Sequence, residues 1–173
     1  MNALVVSRID YCNAVLAGVH GVHLRQLQPV LNAAARLIAR KWKYDSISAT
    51  LRDALHWLPI RQRVEFKLSV LVFNCLHNLA PTQLSVYHVP AGRADNAGRR
   101  HLRSAARGDR AVPATTTLRY GSRSFAVAGS VDRQLGTFFQ HWLRSCHLIP
   151  SFRGDLKTEL FIRAYYQHAH DCF

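Results

Sequence analysis

No two acidic residues stand side by side in these 173 residues, and acids are scarce altogether, ten Asp plus Glu against 23 Lys plus Arg. Chemistry that runs on two metal ions about 3.5–4 Å apart needs paired carboxylates. Asp10, Asp45, Asp53 and Asp155 are scattered among basic or helical neighbours, so caps and surface pairs are the expectation for them. The four cysteines, Cys12, Cys75, Cys146 and Cys172, contain no C-x-x-C, and buried or idle reduced thiols are expected. No apolar run approaches the roughly 18 residues that a membrane span needs. Met1 to Leu16 is broken by Arg8 and Asp10 and does not read as a secretory signal. Together these absences point to an intracellular chain, nuclear or cytoplasmic, with no membrane, cofactor, metal or small-molecule substrate.

What is present is positive charge on a half-apolar chain. Hydrophobic residues make up 49%, enough for a modest core, and the formal charge is +13. Such a balance favours nucleic acid or another anionic surface as partner. The charge is uneven: residues 1–87 hold ten bases and four acids, 88–124 eight and two, and 125–173 five and four. The middle segment is the most basic per residue. Glycines and prolines interrupt it from 88 to 117, large apolar side chains are few, and a basic flexible linker is expected there.

Apolar periodicity predicts helices on either side of that linker. Val5, Ile9, Cys12 and Leu16 place one over 3–17, closed by Gly18 and Gly21. Leu24, Leu27, Leu31, Ala34 and Ile38 place another over 23–42. On that helix Arg25, Arg36, Arg40 and Lys43 fall on the side opposite the stripe, and Pro29 lies in its interior, where it costs roughly 3 kcal/mol or bends the helix. A short helix over 47–55 has Asp45 or Ser46 as cap. A longer one follows Pro59, with Ile60, Val64, Leu68, Leu71 and Cys75 inside and Asn78 and Pro81 at its end. A short helix is expected at 82–87, one short strand within 118–129, and a last helix near 151–166 capped by Ser151, with Phe152, Leu156, Leu160 and Phe161 as its stripe. The fold class is mainly α: a small bundle of four to five helices over 1–87, the linker over 88–117, and a C-terminal segment over 118–173 with a strand and a terminal helix.

Three blocks then carry a resemblance: Ser7-Arg8-Ile9-Asp10-Tyr11-Cys12-Asn13; Leu27-Gln28 with Asn32-Ala33-Ala34-Ala35-Arg36-Leu37-Ile38; and Leu55-His56-Trp57-Leu58-Pro59-Ile60-Arg61-Gln62-Arg63. Leu79-Ala80-Pro81, Leu102-Arg103-Ser104, Val112-Pro113, Tyr120-Gly121 with Arg123 and Phe125, and Phe152 with Leu156-Lys157-Thr158 and Leu160-Phe161 follow in order. The series resembles the region after the polymerase core in reverse transcriptases of non-LTR (LINE-type) retrotransposons. Three departures stand out. The Pro and the Trp-Asn-x-Leu-Pro turn that the family places after Val127-Ala128-Gly129 are missing from Ser130–Leu143, Met1 falls inside the first matching helix, and Pro29 occupies a position usually polar or basic.

The resemblance implies a non-catalytic segment of an RNA-directed DNA polymerase, downstream of the catalytic aspartates and related to its thumb. It implies backbone contacts, without sequence readout, to RNA or an RNA–DNA hybrid. The candidate residues are Arg25, Arg36, Arg40, Lys41, Lys43, Arg61, Arg63, Lys67, Arg99, Arg100 and Arg103. Arg61 and Arg63 oppose the dipole of the helix they begin, a placement that an anionic partner or simple exposure would explain. Tyr120, Arg123 and Phe125 could stack on single-stranded bases or anchor a strand to the core. His168, His170 and Cys172 read as a frayed tail rather than a zinc site, since only Cys146 or His147 could complete one. Two other readings remain at this point: a decayed retroelement remnant with no selected activity, and a helical scaffold that docks a partner.

Overall fold

Among the described residues, most segments whose apolar residues recur at three and four residues are helical. The computed structural model describes residues 2–11, 13–85, 117, 121, 125–128, 146 and 148–166. Within them α1 spans Asn2–Asp10, α2 Gly21–Ala39, α3 Ile60–Leu76, α4 Thr82–Ser85, α5 Phe125–Ala128 and α6 Ile149–Tyr165. The architecture is mainly helical, a small bundle organised on α3, which packs against α2 and α6 and against a 3-10 turn at Asn13–Leu16.

Two cores share α3. In the first, Ile60, Val64 and Leu68 meet Leu31, Ala34 and Ala35 of α2, with Ile47, Leu51 and Trp57. In the second, Val70 and Phe73 meet Phe152, Leu156 and Leu160 of α6, and the rings of Phe73 and Phe152 stack 4.2 Å apart. The segment before α3 is the seam between them. Trp57 goes into the first core and Leu58 into the second, the alternation of extended backbone. Tyr165 of α6 closes the seam: its hydroxyl donates to the Trp57 carbonyl at 2.7 Å.

Several helix ends differ from the sequence expectation. The first helix stops at Asp10, and Asn13 turns inward, where its buried Nδ2 donates to the Val64 carbonyl at 3.3 Å. Gly18, at φ +72, turns the chain from the 3-10 turn toward α2. The helix α2 continues through Pro29 to Ala39, so the proline leaves the Arg25 carbonyl without its intrahelical donor but does not end the helix. Thr50–Ala54 form a π-helical turn, closed by a bond from the Leu55 N–H to the Thr50 carbonyl. Neither Asp45 nor Ser46 caps it, and Ser151 does not cap α6, which starts two residues earlier with Pro150 in its first turn. Asn78 closes α3 in the left-handed conformation, with the Leu79 N–H on the Asn74 carbonyl.

Among the described residues of 118–129 the expected strand is corrected. Phe125–Ala128 is helical, and the Gly121 N–H reaches the Thr117 carbonyl, a helical-turn bond. A lone strand has no ladder to satisfy its backbone, whereas a helical turn satisfies its own. Val127 is buried there and Phe125 packs on the first core. Thr117 apart, the linker at 88–117 lies outside the described residues, as do Tyr120, Arg123 and the stretch 167–173.

Candidate nucleic-acid interface

The basic residues separate into two groups once the helices are in place. The first group is turned toward the fold. Arg63 grips Asp10 through Nε at 2.6 Å and through a second nitrogen at 2.9 Å, and Lys67 reaches the same carboxylate at 3.1 Å. Only 15% of the Arg63 side chain is exposed. Burial alone would raise the Asp10 carboxyl, but the hydrogen bonds and charges of Arg63 and Lys67 outweigh it and hold the group below the usual carboxylate range. Arg61 is not turned inward with them: it is 75% exposed and lies 3.5 Å from Glu65. Glu65 goes the other way: burial pushes its carboxyl up, and Arg61 offsets this only in part.

The three sequence blocks meet around this cluster. Asp10 and Asn13 of the first touch Arg63 and Val64 at the end of the third. Gln28 of the second accepts the Ile60 N–H at 3.0 Å, which satisfies an orphan donor at the start of α3. No spacing rule exposes partners 53 and 32 residues apart.

The second group points away from the fold. Arg25 is exposed on α2, and Arg40, Lys41 and Lys43 are exposed just beyond it. None of these four has a carboxylate ion-pair partner among the described residues. Arg40 and Lys43 do not share the α2 face that periodicity assigned to them. Arg40 is left-handed, at φ 52 and ψ 39, and ends the helix, with the Lys41 N–H on the Arg36 carbonyl at 2.9 Å and the Arg40 N–H on that of Leu37. That is the bonding of a Schellman cap with arginine where glycine is usual, which is why sequence gave no stop signal. Arg36 stays on the helix but is half-buried, its Nε donating to the Asp45 carbonyl at 3.3 Å. Arg99, Arg100 and Arg103 lie outside the described residues.

Two residues that sequence reasoning passed over stand among these cations. Trp42 is 83% exposed and Tyr44 89%. The signal was present as Arg40-Lys41-Trp42-Lys43-Tyr44, an alternation of bases and rings hidden by assigning the segment to a helix end. The solvent-exposed part of α2 is also less basic than expected, since Val22, Val30 and Leu37 are exposed on it.

A cavity of about 440 Å³ opens between the 3-10 turn, the start of α2 and α3, lined by Leu16, Gly18, Leu24, Arg61, Val64 and Glu65. Among the described residues no group of three His, Cys, Asp or Glu could hold a metal ion, and no helix is long and apolar enough to cross a membrane. Cys75 is buried, and Cys146 Sγ lies 4.0 Å from Asp155. No protein-family model, curated protein or solved structure matches this chain.

Proposed function

We propose that this chain is a non-catalytic nucleic-acid-binding module of the kind that follows the polymerase core in LINE-type reverse transcriptases. It holds the backbone of RNA or of an RNA–DNA hybrid without reading sequence. The observation that carries the reading is the arrangement of charge. Arg63 and Lys67 are neutralised on Asp10 within the fold, and Arg25, Arg40, Lys41 and Lys43 are presented outward on a chain of net charge +13. When cations that no carboxylate neutralises meet phosphates, counterions are released, which supplies affinity independent of base identity. The mutual packing of blocks far apart in sequence gives Asp10, Asn13, Gln28 and Arg63 a joint structural task.

Fluorescence anisotropy on hybrid duplexes of unrelated sequence tests the reading. Affinities should agree across sequences and fall with salt with a log–log slope of about −3 to −4 for four phosphate contacts. A slope near zero, or strong preference for one sequence, would overturn it. A second reading, partner docking, is favoured by the exposed apolar row Val22, Val30 and Leu37. It predicts that Val30→Asp with Leu37→Asp leaves nucleic-acid affinity intact while abolishing any protein association of the full chain.

A further inference from the structure

We propose that the loop from Arg40 to Tyr44 is a stacking site for unpaired nucleobases, with Trp42 and Tyr44 as the platforms and Arg40, Lys41 and Lys43 as clamps on the adjoining phosphates. The proposal rests on the nucleic-acid reading above and deepens it: the favoured ligand becomes single-stranded rather than paired.

Isolated apolar side chains on a surface are ordinary. Two large rings one residue apart, both more than four-fifths exposed and set between three cations, are a different arrangement. Every base offers a π-face, so rings beside a basic backbone track bind single strands without sequence preference. The loop is also braced. The Asp45 N–H returns to the Trp42 carbonyl at 3.2 Å and forms a turn with Lys43 and Tyr44 at its tip. The Asp45 carboxylate accepts the Trp42 N–H at 2.9 Å, Arg36 holds the Asp45 carbonyl, and Lys41 Nζ reaches the Ser46 carbonyl at 3.4 Å. Below the loop Ile47 is buried in the first core. A braced loop loses less freedom on binding than a slack one. Lys43 Nζ sits 5.4 Å from the Tyr44 ring centre, so charge and ring are presented together. Rings on a convex turn cannot reach bases already stacked inside a duplex, and this is the origin of the strand preference. Membrane interfaces also take Trp and Tyr beside bases, but the rings here sit on a polar turn with a carboxylate, Asp45, in its hydrogen bonding.

The test uses the full chain, three nucleic-acid probes of equal length (an oligothymidylate strand, the same strand with abasic sites, and a hybrid duplex) and phosphatidylserine-containing vesicles. Trp42→Ala with Tyr44→Ala should weaken binding to the intact strand about 10- to 100-fold. It should change duplex and abasic-strand binding less than about twofold, and Trp42→Phe with Tyr44→Phe should restore most of the loss. Equal losses on intact and abasic strands, or wild-type affinity in the double alanine variant, would overturn the proposal. So would a loss seen only on phosphatidylserine-containing vesicles, which would assign the loop to membranes. Salt-dependent binding indifferent to bases and rings defeats stacking alone. No binding to any nucleic-acid probe defeats the proposed function as well.

Discussion

Arg63 and Arg40 are both arginines at a helix end, and they have opposite fates. Arg63 begins α3 and is drawn with Lys67 onto Asp10, 53 residues away, inside the junction where the sequence blocks meet. Arg40 ends α2 in a left-handed conformation and stands in solvent beside Trp42 and Tyr44. Asp10 and Arg63 of the sequence blocks therefore act in folding, and the residues proposed to meet a ligand lie beside the blocks. Resemblance and binding surface need not coincide in one stretch of sequence.

The sharpest way to break this division is to damage the inner region and look for effects on the outer one. Phe152 is fully buried and stacked on Phe73 across the second core. Phe152→Ala should cost about 3–5 kcal/mol in urea unfolding. The fraction still folded should bind with unchanged affinity, because the second core does not touch the loop.

The Asp10 cluster comes next in size. Replacing Arg63 with Ala leaves Asp10 with Lys67 alone and should cost about 2 kcal/mol. The cluster also has a pH signature. The Asp10 carboxyl is held low, so its contribution is present above the ordinary carboxylate value and is lost as pH falls through its folded value. Glu65 is held high, so it favours the folded state below its ordinary value and that benefit is lost as pH rises through its folded value. The two oppose each other. The stability gap between wild type and Asp10→Asn should therefore shrink below about pH 4, as read by urea midpoints across the acid range. A gap that widens on acidification would contradict the assignment.

Much of the inner region was legible and much of the outer was not, for physical reasons. Leu31, Ala34, Ile60, Val64, Leu68, Phe152, Leu156 and Leu160 are buried as their spacing implied, because a one-sided apolar period has few other solutions. Leu71, also expected inside, is only half-buried, while Val70, Val72 and Phe73 are buried, because α3 lies between two cores and not against one. The Asp10–Arg63 pair was illegible because charge carries no record of a distant partner. The end of α2 was illegible because Arg40 stands where glycine normally announces the turn. Ile38, counted in the stripe, emerges partly into solvent two residues before Arg40. Phe125 and Val127 misled because a two-residue alternation over so short a stretch fits one turn of helix equally well.

Arg40 offers the smallest effect on stability and a clean separation of the two regions. An arginine in the left-handed region is strained by roughly 1 kcal/mol that glycine avoids, partly offset by glycine's greater freedom when unfolded. Arg40→Gly should leave the urea midpoint unchanged or slightly raised while weakening nucleic-acid binding. A marked loss of stability would mean that the arginine side chain, and not the backbone turn, holds the helix end.

The central claim is that the outward loop binds and the motif cluster does not. It is tested most directly by the salt dependence of binding to one single strand, measured by anisotropy for two charge-removing variants. Replacing Arg40, Lys41 and Lys43 together with Ala should reduce the log–log slope by about 2, at roughly 0.7 per phosphate contact on a single strand. Replacing Arg63 and Lys67 with Met should leave the slope of the folded protein unchanged, because Asp10 already occupies both. Equal reductions per charge removed from the two sites, or a larger reduction from the Arg63 and Lys67 pair, would contradict the account and leave a chain that binds polyanions by its net charge alone.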